Sequence, residues 1–249
     1  MPQPAHVVVV VIENHAVAEV LGNPKAPFLN GLAAHGATFT RFYAITHPSE
    51  PNYLALFSGS THGLSSDACP VRYPGANLAG SLLEARMTFT GYAEDLPESG
   101  FTGCTSGGYA RKHSPWVSFT RVPAQVSQPM SSFPRDYASL PTVSFVIPNL
   151  QHDMHDGTVA QADSWLEQHL SGYVTWAQAH NSLLIVTADE DDHSADNRIP
   201  ALIVGAGVKA GHYGQRYDLY SLLRLIEDMY GLPRLANSAT ATPINGIWD

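Results

Sequence analysis

Two apolar runs of the sequence each end directly in oxygen-bearing side chains. The run at 182–188 is followed by Asp189 and Glu190, and the run at 6–12 is followed by Glu13-Asn14. Carboxylate and amide oxygens are ligands that hard divalent cations prefer. Clustered carboxylates without a lysine or arginine nearby are costly to bury unless a cation lies between them. Because ligands of open α/β sheets bind at the carboxyl ends of the strands, these four residues are candidate metal ligands.

Both strand ends also have an ordinary structural explanation. Asn14 could form a turn and cap a following helix. Asp191 and Asp192, which extend the second acidic run, could belong to a solvated loop. The sequence leaves these alternatives open, and it favours Asp189 and Glu190 as ligands because they lie closest to the end of the strand.

Ser49 lies between a predicted strand and a predicted helix, within the motif His47-Pro48-Ser49-Glu50-Pro51-Asn52-Tyr53. At a helix N-terminus, free backbone N–H groups and the helix dipole stabilise an anion such as a phosphate or a developing alkoxide. A metal ion on the hydroxyl oxygen would lower its pKa and make Ser49 a nucleophile. The alternative is that Ser49 only caps the helix, with Pro51 in the first turn.

Two histidines are candidates for proton transfer or phosphate binding. His113 follows Arg111-Lys112 in an irregular region, where a histidine could protonate a phosphoryl oxygen or a leaving group. His155 belongs to the cluster His152-Asp153-Met154-His155-Asp156, which follows a predicted strand at 142–147. That cluster could bind a metal, bind phosphate or cap the next helix, and its spacing does not match a zinc finger. An exposed loop position with no catalytic role is the ordinary alternative for His113.

The segments around these residues alternate between strand-like and helix-like patterns, which is typical of an α/β fold. We expect a mainly parallel central sheet with helices on both faces. The region at about 94–140 is rich in Gly, Ser and Pro, and we expect an insertion or cap over the strand ends there. Strands are predicted at 6–12, 37–43, 87–93, 142–147, 182–188 and 201–205, and helices at 26–35, 50–58, 77–86, 160–179 and 217–230.

Composition limits the partners of the protein. The chain has 249 residues, enough for one large domain, and its formal net charge is −9 with only 13 Lys and Arg. This balance argues against nucleic acid as a partner, because phosphate backbones are bound by lysines and arginines. A small phosphorylated substrate stays open, since a bound cation reverses the local field. No apolar run reaches the roughly 18 residues of a membrane span.

The two cysteines, Cys69 and Cys104, both lie in loop-like sequence. We favour a disulfide between them, which would indicate an oxidising compartment. The alternative is two free thiols in a cytosolic protein. No signal peptide precedes the first strand, although a cleaved leader replaced by a start methionine would look the same.

Taken together and in order, these motifs resemble the phosphoesterase family that contains bacterial acid phosphatases and phospholipases C, within the alkaline-phosphatase-like fold. The resemblance extends from residue 7 to about residue 232, and the form of the motif at 49–53 is most similar to the phosphatase branch, which includes phosphatidylinositol-3-phosphate phosphatases. The motifs that carry it are Glu13-Asn14, the segment 47–53, the segment 109–113, the segment 153–156 and Asp189-Glu190.

The resemblance implies a single phosphoesterase domain over residues 1–249 and a site that holds one divalent metal ion. Calcium, magnesium, manganese and zinc are the candidates. The histidines at 113 and 155 are expected near the phosphate, and the cysteine pair fits secreted or periplasmic members of the family. The metal ligands implied by the resemblance are Glu13, Asn14, Ser49, Asp189 and Glu190.

The implied activity is that of a metal-dependent phosphomonoesterase, similar to acid phosphatases, in which Ser49 forms a phosphoseryl intermediate. Its substrate would be a small phosphorylated molecule, such as a phosphoinositide or another phosphate monoester. The alternatives are a phosphodiesterase of the phospholipase C type and a non-catalytic metal- or phosphate-binding protein. The chain departs from the family by Leu219 in place of a common histidine, and by His15-Ala16-Val17 after the first motif. If the family's histidine supports the catalytic site, the first departure predicts a slower or differently tuned enzyme.

Overall fold

The computed structural model describes residues 1–194 and 196–249. The strands, in chain order, are β1 (His6–Ile12), β2 (Ala37–Phe39), β3 (Phe42–Tyr43), β4 (Phe89–Ala93), β5 (Thr105–Ser106), β6 (Tyr109–Ala110), β7 (Ser127–Pro129), β8 (Val143–Ile147), β9 (Ser182–Ala188), β10 (Ala201–Gly205), β11 (Gly211–Tyr213) and β12 (Tyr217–Asp218). The α-helices are α1 (Val17–Val20), α2 (Pro27–His35), α3 (Ser49–Ser58), α4 (Leu78–Glu84), α5 (Val159–Ala179) and α6 (Leu219–Tyr230).

The central sheet has eight strands in the order β11-β2-β10-β9-β1-β8-β4-β7. Strand β1 pairs in parallel with both β8 and β9, whereas β10 is antiparallel to its neighbours β9 and β2. The prediction of a mainly parallel sheet is therefore confirmed. Because Ile12 pairs with Ala188, β1 and β9 end at the same level, and the residues that follow them leave the sheet side by side.

Strands β1 and β9 lie in the middle of the core, with every residue of β9 buried and the valines of β1 almost wholly excluded from solvent. Unbroken apolar strands of this kind are buried on both faces of a parallel sheet. Helix α2 packs with α5 against β10, and α3 packs with α6. The 21-residue α5 begins at a capping box in which Thr158 and Gln161 satisfy each other's free N–H groups.

Two predicted elements differ from the structure for one reason. The predicted strand at 37–43 is interrupted after Phe39, and the predicted helix at 217–230 begins two residues later, at Leu219. Strand β12 pairs in parallel with β3, so that Tyr217 lies beside Phe42 in a separate two-stranded sheet. A pairing between segments so far apart in sequence leaves no mark on the local pattern of either.

The segment at 94–140 consists of short strands and 3₁₀ turns. It contributes β7 to the edge of the central sheet beside β4 and forms the β5–β6 hairpin. The predicted disulfide between Cys69 and Cys104 is present. Among the described residues, none of the helices combines the length and the apolar character that crossing a bilayer requires.

Candidate active site

The ends of β1 and β9 bring the first candidate ligands together. The backbone N–H of Asn14 donates to Oδ1 of Asp189 at 3.3 Å, and the N–H of Asp189 donates to the carbonyl of Ile12 at 3.0 Å. Asn14 does not cap α1, whose N-cap is Ala16. Its Oδ1 atom is instead buried without a hydrogen-bond partner in the described part of the chain.

Ser49 is the first residue of α3, and its hydroxyl lies between two carboxylates from different strands. Oγ of Ser49 is 3.1 Å from Oε2 of Glu13 and 3.1 Å from Oε1 of Glu190. The N-cap residue of the helix is Pro48, so Ser49 is not a simple helix cap. The structure therefore places a buried hydroxyl at a helix N-terminus and directly against the predicted acidic ligands.

Helix α3 also fixes the other oxygen of Glu13. Tyr53, one helical turn after Ser49, donates its hydroxyl hydrogen to Oε1 of Glu13. All ten residues of α3 are buried, and the helix ends where Gly59 adopts a left-handed conformation with φ of 73°. A side chain at Gly59 would also meet the carbonyl of Leu235, so this ending is specified by the sequence.

His113 lies against the same carboxylate and against Asp153. Its Nε2 atom is 3.4 Å from Oε2 of Glu13, and its Nδ1 atom is 3.2 Å from Oδ2 of Asp153. The imidazole stacks on the ring of Tyr53, with 5.1 Å between the centroids. Three possible ligand atoms lie within 4.8 Å of one another here, one each from Glu13, His113 and Asp153. A metal ion could bind between them.

Glu190 is held by His47, two residues before the candidate nucleophile. Nδ1 of His47 is 2.6 Å from Oε2 of Glu190, and Nε2 of His47 is 3.2 Å from Oδ1 of Asp191. Asp191 is buried, so the prediction that it belongs to a solvated loop is wrong, whereas Asp192 is exposed. His47 thus contacts two consecutive acidic residues, and it contacts the oxygen of Glu190 that does not bind Ser49.

His155 contacts Lys112 and Asp156 rather than the candidate nucleophile. It is half-buried, its Nδ1 atom is 2.8 Å from Oδ1 of Asp156, and its Nε2 atom is 3.2 Å from Nζ of Lys112. Its ring centroid is 5.8 Å from that of His113. Within the described residues it has no polar contact with Ser49, so it belongs to the rim of the site.

Burial dominates the electrostatics of the carboxylate cluster. Burial, followed by the charges of Asp189 and Asp153, raises the pKa of Glu13 well above its usual value. Burial, followed by the charge of Glu190, raises the pKa of Asp189 to about 8. Burial also raises the pKa of Asp153 to about 7 and lowers the pKa of His113 well below its usual value. Each shift disfavours the charged form of its group, as expected for ionisable groups removed from water.

The donors in this cluster fit a divalent cation. Four buried atoms have no hydrogen-bond partner among the described residues, although such groups are nearly always satisfied in folded proteins. A cation would satisfy them and would also favour the charged form of the carboxylates. These atoms are Oδ1 of Asn14, Nε2 of His113, Oδ2 of Asp153 and Oδ2 of Asp189.

Sequence reasoning selected most of this cluster and missed several members. Asp153 lies in the motif at 153–156, in which the sequence favours His155. His47 and Tyr53 stood in the motif of Ser49 without an assigned role. Sequence position could have suggested these three residues, because Asp153 follows a strand of the same sheet and His47 and Tyr53 lie close to Ser49 in the chain. Position alone does not show which way a side chain points.

The chain is similar in sequence to a known family and to several phosphatases. The sequence profile of the Phosphoesterase family matches residues 21–233. The chain is 53% identical over 252 aligned positions to a phosphatidylinositol-3-phosphatase of Mycobacterium tuberculosis, covering 100% of this chain and 84% of that protein. It is 30% identical to a phosphate-repressible acid phosphatase of Penicillium chrysogenum, covering 89% of this chain and 56% of the fungal protein. The chain thus spans about half the length of that fungal relative.

The fold is similar to solved structures at low sequence identity. A protein in the alkaline phosphatase superfamily from Vibrio parahaemolyticus superimposes with a TM-score of 0.65 at 15% identity, covering 98% of this chain and 71% of that one. A phosphonate monoester hydrolase from Silicibacter pomeroyi gives a TM-score of 0.63 at 12% identity, covering 98% of this chain and 78% of that one. These likenesses confirm the predicted alkaline-phosphatase-like fold.

Proposed function

We propose that this chain, which belongs to the Phosphoesterase family and is a phosphoric monoester hydrolase, uses Ser49 as its nucleophile and one divalent metal ion in the reaction. The observation that carries this proposal is the placement of the Ser49 hydroxyl, 3.1 Å from a carboxylate oxygen of Glu13 and of Glu190 at the N-terminus of α3. A buried hydroxyl held between two acidic side chains suits proton removal better than helix capping.

The residues that would hold the metal ion are Glu13, Asn14, Ser49, Asp189 and Glu190. The oxygen donors fit calcium, magnesium or manganese, and the nitrogen of His113 beside Glu13 also suits zinc. A bound cation would lower the pKa of the serine hydroxyl and neutralise charge on a phosphoryl oxygen. The unsatisfied atoms of Asn14 and Asp189 support this assignment.

In the proposed reaction, Ser49 Oγ attacks phosphorus in line with the bond to the leaving oxygen. The hydroxyl proton passes to a neighbouring carboxylate of Glu13 or Glu190, the new O–P bond forms, and the bond to the leaving oxygen breaks with its electron pair. His155, on the solvated rim, gives a proton to the leaving oxygen. Water then attacks the phosphorus of the phosphoserine and gives a proton to His155, the bond between phosphorus and Ser49 Oγ breaks, and the carboxylate returns its proton to that oxygen. Inorganic phosphate is released and the Ser49 hydroxyl is restored.

His113 would lie close to the transferring phosphoryl group as a neutral imidazole. Burial favours its uncharged form, and its contacts with Glu13 and Asp153 fix the ring orientation. The two histidines would therefore have different roles, one set by burial and the other by exposure.

The substrate we propose is a phosphate monoester, with phosphoinositides as one candidate class because the mycobacterial relative is named for that activity. We further propose that residues 1–249 form one phosphoesterase domain, in which the segment at about 94–140 caps the strand ends and supplies His113. The disulfide between Cys69 and Cys104 supports a secreted or periplasmic location.

Replacement of the nucleophile tests the proposal. We expect Ser49→Ala to lower kcat for p-nitrophenyl phosphate by about 10³-fold or more while the thermal unfolding profile is retained. Ser58→Ala, at the other end of the same helix, is the matched control and should retain activity. Acid quenching during turnover should trap phosphate on the peptide that contains Ser49. Near-normal turnover by Ser49→Ala would refute the proposal, and faster cleavage of bis-p-nitrophenyl phosphate than of the monoester would assign the site to phosphodiesters instead.

A further inference from the structure

Lys112 occupies a position that the proposed reaction leaves without a role. The chain has only three lysines, and the other two, Lys25 and Lys209, are exposed. Nζ of Lys112 lies 2.7 Å from Oδ2 of Asp67 and 3.2 Å from Nε2 of His155. The side chain is only 19% exposed, so this ammonium group is held at the rim of the site and does not move freely in solvent.

The charge of the site creates a need for such a group. Glu13 and Glu190 contact the Ser49 hydroxyl, and Asp189 accepts a hydrogen bond from the backbone N–H of Asn14 beside Glu13. One divalent cation would leave these three carboxylates, when ionised, with a net negative charge. A phosphate monoester is itself a dianion near neutral pH, so it would be repelled unless a further positive group faces it.

The neighbouring arginine does not supply that group. The guanidinium of Arg111 is buried and donates to the backbone carbonyls of Thr102, Val71 and Val117 at 2.6 to 3.3 Å. It therefore stabilises the surrounding loops. Among the residues that the structure describes, Lys112 is therefore the basic residue whose charged group contacts the site.

We propose that Lys112 binds the phosphoryl group of the substrate and that Asp67 positions it, an inference that rests on the proposed function. An ammonium group has three N–H donors. Asp67 accounts for one of them, and Nε2 of His155 accepts a second while that imidazole is neutral, so that at least one donor has no partner within the described chain. That donor is available to a phosphoryl oxygen at the rim where His155 also lies.

The position of Lys112 is tied to that of the nucleophile through Asp67. Oδ1 of Asp67 accepts a hydrogen bond from the backbone N–H of Glu50, the residue after Ser49, at 3.0 Å. One carboxylate thus connects the ammonium group to the first turn of α3. The disulfide at Cys69 lies two residues farther along the same loop and anchors it.

Recognition by Lys112 would distinguish monoesters from diesters. A monoester carries a second negative charge that a diester lacks, and an ammonium group responds to that charge. The contact would exist in the bound substrate and in the transition state alike, so its loss should raise KM more than it lowers kcat. This pattern separates a substrate-binding role from a structural one.

The experiment compares wild-type protein with Lys112→Gln, Lys112→Arg and the matched control Lys209→Gln, which removes the same charge at an exposed site. We expect Lys112→Gln to raise KM for p-nitrophenyl phosphate and the dissociation constant of inorganic phosphate by about 10-fold, with kcat changed by less than about 3-fold. Lys112→Arg should recover most of the loss, and Lys209→Gln should match the wild type. The wild-type KM should also rise more steeply with salt than that of Lys112→Gln, because screening weakens the lost charge interaction.

Unchanged KM and phosphate affinity in Lys112→Gln would overturn the inference. If that variant does not fold, Asp67→Asn keeps the lysine and removes its anchor, and it should raise the same two constants by a smaller factor. Unchanged constants in Asp67→Asn would then overturn the inference equally. The proposed function fails separately, through an active Ser49→Ala, whatever the lysine variants show.

Discussion

Nδ1 of His47 lies 2.6 Å from Oε2 of Glu190, although 143 residues separate the two along the chain. The other oxygen of the same carboxylate accepts a hydrogen bond from Ser49. The second nitrogen of His47 faces Asp191, so the imidazole is itself held in place. His47 therefore fixes the carboxylate that fixes the nucleophile, in the manner of the outer contacts that orient metal ligands.

Removing this histidine should weaken the metal site without removing a ligand. We expect His47→Ala to lower divalent-metal affinity by about 10-fold to 100-fold, because Glu190 loses the contact that orients it. Titration calorimetry of the metal-free protein measures this directly, and turnover at saturating metal should be affected less than turnover at limiting metal. His180→Ala, on the exposed end of α5, is the control. Equal metal affinity in His47→Ala and wild type would contradict the prediction.

Sequence patterns were sufficient for the inner strands of the central sheet, most of which carry continuous apolar runs, but not for the three-residue edge strands β7 and β11. The parallel pairing of β1 with β9 then placed Glu13 and Asp189 at one edge, as expected for strand carboxyl ends. Whether a side chain beyond a strand end points into the site depends on turn geometry. Asp153 turns inward and contacts His113, whereas His155 stays on the rim. Nothing in the spacing of that motif separates these two outcomes.

Leu219 is a second residue whose role could not be predicted from the sequence alone. The resemblance to a known family marked this position as unusual, and the structure places its side chain in the core at the start of α6, almost wholly buried. Helix capping by Asp218 and Ser221 is retained on either side of it. The apolar residue is therefore accommodated by packing, a property that a single sequence does not reveal.

The stability of the metal-free protein should fall as pH rises above about 6.5. Burial raises the pKa of Asp189 to about 8 and that of Asp153 to about 7, so the folded protein keeps protons that the unfolded chain has released above about pH 4. Unfolding free energy then decreases with pH until the folded groups have ionised, near about pH 8. The lowered pKa of His113 makes the unfolding free energy increase with pH, but only below about pH 6.5, the ordinary pKa of histidine in an unfolded chain.

Thermal unfolding in the presence of a chelator, measured from about pH 6.5 to about pH 8.5, checks this expectation. The Tm should fall across that window in wild type and fall less in Asp189→Asn, which has no proton to lose. Adding a divalent metal ion should raise Tm most at the alkaline end, because there the cation no longer competes with protons. A chelated wild-type protein whose Tm rises with pH would show that the carboxylates are not buried as described.

The disulfide should contribute to stability and to substrate binding together. Cys69 and Cys104 are 35 residues apart in sequence, and closing a loop of that length stabilises a folded chain by about 2–4 kcal/mol. We expect the double variant Cys69→Ala/Cys104→Ala to lose that amount in urea unfolding. It should also show a raised KM, because the loop that carries Asp67 is released. An unchanged unfolding free energy would indicate that other contacts hold this loop.

Asp153 should support turnover through His113. Oδ2 of Asp153 is 3.2 Å from Nδ1 of His113, and Oδ1 accepts the backbone N–H of His155 at 2.8 Å. Asp153→Asn keeps the shape of the side chain but removes the carboxylate that sets which ring nitrogen of His113 carries the proton. We expect kcat for p-nitrophenyl phosphate to fall by about 10-fold to 100-fold with a smaller change in KM, since the lost interaction serves the transferring phosphoryl group. The exposed Asp136→Asn is the control, and a kcat as high in Asp153→Asn as in that control would remove His113 from the proposed reaction.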